Sequence, residues 1–157
     1  MNKRIRTLIT TLVVIASVFF AWKYIRDEHY PIPIQTSESW EPFANSLDAL
    51  HEIIFVEAED GTMLEADLFI PNGGSEKKPA VVFTPGSGDS LYQNYAPGFI
   101  ETYMLDLFLE RDFAVLLVNK RGMGQSEGNY VKNSIEGRAN DLYAAVQMIR
   151  TYPQIDV

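Results

Sequence analysis

Alternating apolar and polar positions predict a two-stranded hairpin near the middle of the chain. Residues 52–58 form a run rich in Ile, Phe and Val, and residues 62–70 form a second run after the pair Asp60-Gly61. An Asp-Gly pair between two such runs favours a tight hairpin turn. In the second run one face carries Met63, Glu65, Asp67 and Phe69, and the other carries Leu64, Ala66, Leu68 and Ile70. We therefore expect an antiparallel pair of strands.

Two short, continuous apolar runs follow, residues 79–84 and residues 113–118. Such runs are typical of strands that are covered on both faces in a parallel sheet. Apolar residues at helical spacing after each run predict a helix over about 99–110 and another over about 134–151, with Asn133 as the N-cap of the second. Alternation of strand and helix predicts an α/β fold, in which parallel strands with crossover helices follow the antiparallel hairpin.

The first 26 residues carry a different signal. Lys3, Arg4 and Arg6 precede sixteen uncharged residues, 7–22, which are apolar on all faces. With a few flanking residues such a helix spans a hydrocarbon core of about 30 Å. The segment 1–26 is therefore predicted to be an uncleaved signal anchor, that is, a transmembrane helix. A cleaved signal peptide and a soluble core helix are the alternatives, although bulky Phe19 disfavours cleavage after Ala21.

Basic residues are more numerous before this span than after it, which favours an N-terminus inside the cell. We thus expect a single-pass membrane protein that contacts lipid through this helix and carries its domain on the extracytoplasmic side. Pro31 and Pro33 predict an extended stalk over residues 27–50, from which Trp40 and Phe43 can dock on the domain. The domain itself is predicted to cover residues 51–157.

Charge and composition exclude several functions. After residue 26 the chain carries 8 basic and 21 acidic residues, a net charge of −13 (8 minus 21), which repels nucleic-acid phosphates. There is no Cys, and the two His residues are far apart in sequence, so neither a metal site nor thiol catalysis is expected. The loop Pro85-Gly86-Ser87-Gly88 lacks the glycine and lysine spacing of nucleotide-binding loops, so no cofactor is expected there.

Two loops make the α/β pattern resemble one family. Val81-Val82-Phe83-Thr84-Pro85-Gly86-Ser87-Gly88 resembles the loop after the third strand of α/β-hydrolases, and residues 119–128, Asn-Lys-Arg-Gly-Met-Gly-Gln-Ser-Glu-Gly, resemble the stretch after their fourth strand. Pro85 stands where the family usually has His, and Asn119 stands where it usually has Asp. The resemblance covers residues 52–157, points to the esterase and acyl-peptidase-like branch, and implies an incomplete hydrolase sheet that ends before the nucleophile elbow.

The resemblance also implies roles for individual residues. In acyl transfer, backbone N–H groups stabilise the oxyanion, and the family places such a donor directly after Gly86. The amides of Ser87 and Gly88 are therefore the oxyanion-hole candidates. For Gly86, Arg121, Gly122 and Gly124 we expect a role in the structure of the loops, with glycines at positive φ and the Arg paired with a carboxylate. A plain strand-to-helix turn is the alternative for the first loop.

Ser126 matches Gly-x-Ser-x-Gly by letter, but we do not predict it to be a nucleophile. A nucleophile elbow needs a strand running directly into the Ser and a helix starting directly after it, whereas the preceding strand is predicted to end near Val118. In this family the catalytic His follows the Ser in sequence, but His29 and His51 both precede it. No catalytic residue is predicted in this chain.

The sequence therefore indicates an N-terminal portion of a membrane-anchored serine hydrolase, inactive alone, whose intact form cleaves an ester, thioester or amide. The expected partner is the C-terminal half of the domain or another chain, because a missing fifth strand leaves an apolar sheet edge exposed. A membrane-tethered, non-catalytic binding protein on the same scaffold is the alternative.

Overall fold

The computed structural model describes residues 11, 13–19, 21, 40–73, 76–86, 88, 90–95 and 105–156. Four strands form one mixed sheet in the order β1-β2-β4-β3. They are β1 (Ala49–Glu57), β2 (Met63–Pro71), β3 (Ala80–Phe83) and β4 (Ala114–Val118). In the described residues from Trp40 onward, three α-helices accompany them, α1 (Trp40–Ala44), α2 (Asp106–Leu109) and α3 (Ile135–Ile149), and a 3₁₀ helix covers Tyr92–Tyr95.

The sheet contains two antiparallel strand pairs and one parallel pair. β1 and β2 form an antiparallel hairpin with Phe55 opposite Glu65, and Gly61 takes the positive φ of 82° that the tight turn requires. β2 pairs antiparallel with β4, and β3 pairs parallel with β4, with Val82 opposite Leu116. A parallel pair needs a crossover connection, which here contains α2.

Each face of the sheet is covered by its own apolar cluster. On one face α3 packs against the even positions of β2, and the buried members include Leu64, Leu68, Leu116, Ala145 and Ile149. On the other face α1 and the 3₁₀ helix cover the odd positions, and the buried members include Trp40, Phe69, Tyr92, Val115 and Leu117. Burial on both faces explains why β4 is apolar throughout.

The membrane helix predicted over residues 1–26 is corrected by the structure. Within the described part of the chain no helix is both long and apolar enough to cross a bilayer. Of residues 1–26 the structure describes 11, 13–19 and 21, all of them helical. The predicted membrane helix and the single-pass membrane localisation inferred from it are therefore wrong. The other residues of 1–26 lie outside the described residues.

Two helix predictions differ from the structure in detail. α3 is capped by Ser134, whose Oγ accepts a hydrogen bond from the Gly137 N–H at 3.0 Å. Asn133, the predicted cap, instead donates from Nδ2 to Asp141 Oδ2 at 2.8 Å. Of the helix predicted over 99–110, the structure describes α2, and residues 96–104 lie outside the described residues.

The outer edge of β3 meets the end of the described chain. Lys78, just before β3, forms an isolated parallel bridge with Ile155. The Lys78 N–H donates to the Gln154 carbonyl at 2.7 Å, and the Asp156 N–H donates to the Lys78 carbonyl at 2.8 Å. Ile155 is buried in the cluster beneath α3. The chain thus returns to the sheet beside β3 and parallel to it.

Candidate functional site

The loops after β3 and β4 lie at the same edge of the sheet. β3 and β4 are adjacent and parallel, so both carboxyl ends point the same way. In open α/β sheets ligands bind in the crevice at this edge. The loop after β3 begins at Thr84 and the loop after β4 begins at Asn119. We take these two loops as the candidate functional site.

Main-chain groups of the loop after β3 form hydrogen bonds with side chains of the loop after β4. Gly88 has a positive φ of 110°, and its N–H donates to the Tyr130 hydroxyl at 2.9 Å. Gly86 is exposed, whereas Pro85 is buried against the sheet. Of the two oxyanion-hole candidates, Gly88 is described and Ser87 lies outside the described residues. The Gly88 amide is therefore the candidate donor whose partner is known.

Lys120 crosses from the second loop to the first. Its side chain is almost completely buried, and Nζ donates to the carbonyls of Gly86 at 2.9 Å and Gly88 at 2.5 Å. The same Nζ lies 5.0 Å from the centroid of the Tyr130 ring. Sequence reasoning missed both Lys120 and Tyr130. A lysine two positions after the end of the entirely apolar strand β4 was the one available signal, because a residue in that position has little access to water.

Arg121 joins three parts of the fold. Its Nε and Nη2 donate to Asp141 in α3 at 2.9 Å and 2.7 Å, and its Nη1 donates to Asp60 in the hairpin turn at 2.5 Å. The hydrogen bonds that Arg121 donates to Asp141 and to Asp60 raise the pKa of Arg121 above its usual value, and the bond from Arg121 is the main cause that lowers the pKa of Asp60 well below its usual range. Arg121 therefore stabilises the loop after β4 against both the hairpin and α3.

The loop after β4 closes around a buried carboxylate. Glu65 Oε2 accepts from Asn119 Nδ2 and from the Gln125 N–H, each at 2.9 Å. Gly122 and Gly124 have positive φ values of 67° and 57°, and a Cβ on Gly124 would collide with Glu65 Oε2. This close approach explains why a glycine is needed at position 124.

Ser126 has a structural partner. Its side chain is 7 % exposed, and Oγ accepts a hydrogen bond from the Glu65 N–H at 2.9 Å. The residue lies in the loop between β4 and α3, eight positions after the end of the strand and nine before the helix begins at Ile135. It does not stand on a strand-to-helix bend of the kind that exposes a nucleophile.

His51 belongs to a second buried polar group, on the face covered by α1. Its Nε2 lies 2.5 Å from Asp67 Oδ1, and its ring stacks on Phe69 at 4.6 Å. Asp67 Oδ2 also accepts from Trp40 Nε1 at 3.0 Å and from the Tyr92 hydroxyl at 2.7 Å. Burial, together with the charge of Asp67, raises the pKa of Tyr92 well above its usual value, so the phenol stays protonated and donates. The strand pattern did not reveal this group, because its members come from four separate elements.

The described residues of the site enclose little space. A cavity of about 30 Å³ lies between the loop ends and α3, lined by Thr84, Pro85, Asn119, Asp141 and other residues. That volume is enough for about one water molecule. Among the described residues no group of three or more His, Asp or Glu side chains is placed to hold a metal ion.

Comparison with known proteins adds the family context. No protein-family model and no curated protein matches the sequence. Solved structures do match, among them a hypothetical protein from Pseudomonas aeruginosa with a TM-score of 0.59 and 25 % identity, which covers 80 % of this chain and 38 % of that one. Esterase Pf2001 from Pyrococcus furiosus matches with a TM-score of 0.52 and 18 % identity over 79 % of this chain and 44 % of its own. The α/β hydrolase GrgF from Penicillium sp. sh18 matches with a TM-score of 0.50 and 23 % identity over 68 % of this chain and 34 % of its own.

The chain has the α/β-hydrolase fold. The family resemblance drawn from the two loops is thereby confirmed, and the partial coverage agrees with an N-terminal portion of such a domain. The chain spans less than half the length of each of the three solved structures named above. Within the hydrolase fold, the loop of Gly86 and Gly88 lies directly after β3, and Arg121 lies in the loop after β4.

Proposed function

We propose that this chain supplies the oxyanion loop of a serine hydrolase that cleaves an ester, a thioester or an amide by acyl-enzyme chemistry. The fold, and the N–H of Gly88 at the carboxyl end of β3, support this assignment. Donors of this kind stabilise the charge that develops on a carbonyl oxygen under attack, and one such donor contributes about 3–4 kcal/mol to transition-state stabilisation. The chain on its own is inactive in this proposal, because Ser126 and His51 are both held in structural contacts.

One observation carries the proposal: the parallel bridge between Lys78 and Ile155 on the outer edge of β3. A strand continuing from this bridge would run beside β3 and end next to the loop that contains Gly88. In this position a nucleophile on the bend after that strand would face the oxyanion donors. We infer that the nucleophile, the acid and the catalytic His come from a polypeptide segment that pairs with β3.

The outer edge of β3 also indicates that this chain depends on a partner. Among the described residues, Ala80, Val81 and Val82 form strand pairs with β4, and no other strand of the described part lies beside β3 on its outer side. An open strand edge is a template for association. The C-terminal half of a hydrolase domain is the proposed occupant.

Two measurements test the proposal. The purified chain should release p-nitrophenol from p-nitrophenyl acetate no faster than buffer does, and a fluorophosphonate probe should not label it. Co-expression with the part of the Pyrococcus furiosus esterase that lies outside the structural match should give a soluble complex that the probe labels on the esterase segment. Hydrolysis by the chain alone that is abolished in Ser126→Ala would overturn the proposal. So would a soluble complex that the probe leaves unlabelled. A folded, ligand-binding chain without turnover in either experiment would favour the non-catalytic alternative.

A further inference from the structure

The loop of Gly86 and Gly88 is fixed by two side chains from the following loop rather than by its own contacts. Lys120 Nζ donates to both glycine carbonyls, at 2.9 Å and 2.5 Å. The Tyr130 hydroxyl accepts from the Gly88 N–H at 2.9 Å. Carbonyl and amide groups of one short segment are therefore held from the same side of the site, by residues 32 and 42 positions further along the chain.

The hydrogen bonds to the loop restrict the direction in which the Gly88 N–H points. A peptide unit is planar and almost always trans, so its N–H points opposite to its C=O. The Gly88 N–H lies along the chain between the carbonyls of Gly86 and Gly88, so an ammonium group bonded to both carbonyls restricts how the peptide plane of that N–H can turn. Gly86 and Gly88 have no Cβ, and nothing lies within 4 Å of the position that a Cβ would occupy, so side-chain packing does not hold either residue in place. The polar contacts of Lys120 and Tyr130 set the direction of the Gly88 amide.

The chemistry of Lys120 suits this task. A buried ammonium needs compensation, which here comes from two carbonyl oxygens and from the Tyr130 ring at 5.0 Å. Hydrogen bonds from a charged donor are about twice as strong as neutral ones. The Arg138 guanidinium lies 5.5 Å from the centroid of the Tyr130 ring and adds a second cation beside it. The Tyr130 ring is thus held at a defined place over the loop.

We propose that Lys120 and Tyr130 are positioning residues of the oxyanion loop, and that the Tyr130 hydroxyl is an internal acceptor which the acyl oxygen of a ligand replaces on the Gly88 amide. This inference rests on the function proposed above and deepens it. In this inference Lys120 sets the direction of the loop backbone, and Tyr130 accepts the hydrogen bond of the Gly88 amide when no ligand is bound. Neither residue forms a covalent bond with the ligand.

The test uses amide NMR spectra and hydrogen exchange of the full chain. Tyr130→Phe keeps the ring and removes the acceptor, so exchange of the Gly88 amide should accelerate about fivefold to tenfold, the effect of one lost hydrogen bond. Exchange at Leu116 in the centre of β4 should not change, which separates a local from a global effect. Lys120→Met should shift the Gly88 resonance and accelerate its exchange. Tyr143→Phe on α3, where Tyr143 is 65 % exposed, and Lys132→Met at an exposed position are the matched controls and should leave Gly88 unchanged.

A titration with acetate distinguishes a positioned oxyanion donor from a simple tether. In Tyr130→Phe the Gly88 amide is open, so acetate should shift its resonance in a saturable way, more strongly than in the unsubstituted chain. Adding Lys120→Met to that variant should weaken the response. An unchanged Gly88 amide in both single variants, or no response to acetate in Tyr130→Phe, overturns the inference. Should Lys120→Met fail to fold, Tyr130→Phe, which deletes one oxygen, decides alone. Failure of the proposed hydrolase function appears separately, as an unlabelled complex in the fluorophosphonate experiment.

Discussion

The side-chain amide of Asn119 donates a hydrogen bond to the buried carboxylate of Glu65, with Nδ2 and Oε2 2.9 Å apart. The same amide group donates to Gln93 Oε1 at 2.9 Å, and Asn119 Oδ1 accepts from the Tyr92 N–H at 3.2 Å. Residue 119 is where the resembling family usually has Asp. In this chain Glu65 already places a carboxylate there, so a neutral donor is the residue type that fits.

Asn119→Asp should therefore destabilise the fold strongly at neutral pH. The substitution puts a second carboxylate against Glu65 and removes the donor from two acceptors, which costs about 2–4 kcal/mol. Urea unfolding at pH 7 measures this as a lower midpoint. Asn129→Asp is the matched control, because Asn129 Oδ1 accepts from the Val131 and Lys132 amides and a carboxylate keeps that role. Equal midpoints for the two variants would contradict the proposed role of Asn119.

Gly124→Ala should be more damaging than Gly73→Ala. Both glycines have positive φ, 57° and 93°, so alanine is strained at either position. A Cβ at Gly124 also collides with the Glu65 carboxylate, whereas a Cβ at Gly73 has nothing within 4 Å. The backbone strain alone should lower the free energy of unfolding by about 1–2 kcal/mol at either position. At Gly124 it should fall further, because a buried hydrogen-bonded carboxylate must move. Thermal or urea unfolding compares them, and an equal loss would show that the collision is relieved without cost.

The ion pair of Asp60 and Arg121 predicts how stability depends on pH. The hydrogen bond from Arg121 lowers the pKa of Asp60 in the folded state, below an unfolded value of about 3.9. A lowered carboxyl pKa contributes stability that is present above the unfolded pKa and is lost as pH falls toward the folded value. The stability difference between the unsubstituted chain and Asp60→Asn should thus be largest at neutral pH and shrink below about pH 4.

Glu59→Gln controls for charge in that experiment, because it removes one negative charge from the neighbouring, exposed position of the same turn. Urea midpoints measured from pH 3 to pH 7 give the comparison. A difference for Asp60→Asn that stays constant over this range, or that Glu59→Gln reproduces, would argue against a specific pair with Arg121.

Docking of α1 on the sheet should depend on the indole N–H of Trp40. This side chain is 2 % exposed, and its Nε1 donates to Asp67 Oδ2, which lies in a buried strand. Trp40→Phe keeps an aromatic ring but removes one donor to Asp67 and leaves a small void. The free energy of unfolding should fall by about 2–3 kcal/mol. Tyr92→Phe should cost a comparable amount, because it removes a second donor to Asp67, and exposed Tyr143→Phe should cost nothing measurable. Guanidinium unfolding followed by far-UV circular dichroism checks the three variants.

Local pattern was enough to predict the four strands, a helix after β3 and another after β4, and the loops that resemble the family. It did not predict α1, which lies in residues expected to form an extended stalk. A strand covered on both faces must be apolar at every position, so β4 was visible as a continuous run. The Asp-Gly pair likewise marks the hairpin turn, since few other residue pairs accept its dihedral angles. The N-terminal membrane helix shows the limit of this reasoning. The apolar character of residues 7–22 predicted a membrane span, but no helix of the described residues is both long and apolar enough to cross a bilayer.

Contacts between distant residues were decided by the tertiary structure. Glu65 and Asp67 occupy alternate positions of one strand and looked like ordinary polar residues, but both are buried and each is matched by donors more than ten residues away in sequence. Lys120 and Tyr130 reach the glycine loop only because β3 and β4 lie side by side. The sequence by itself determined where the backbone forms strands, because this depends on hydrophobic periodicity along the chain. Which polar groups meet at the carboxyl ends of β3 and β4 was determined only by the folded sheet, because those partners are set by strand order and crossover, which no local pattern encodes.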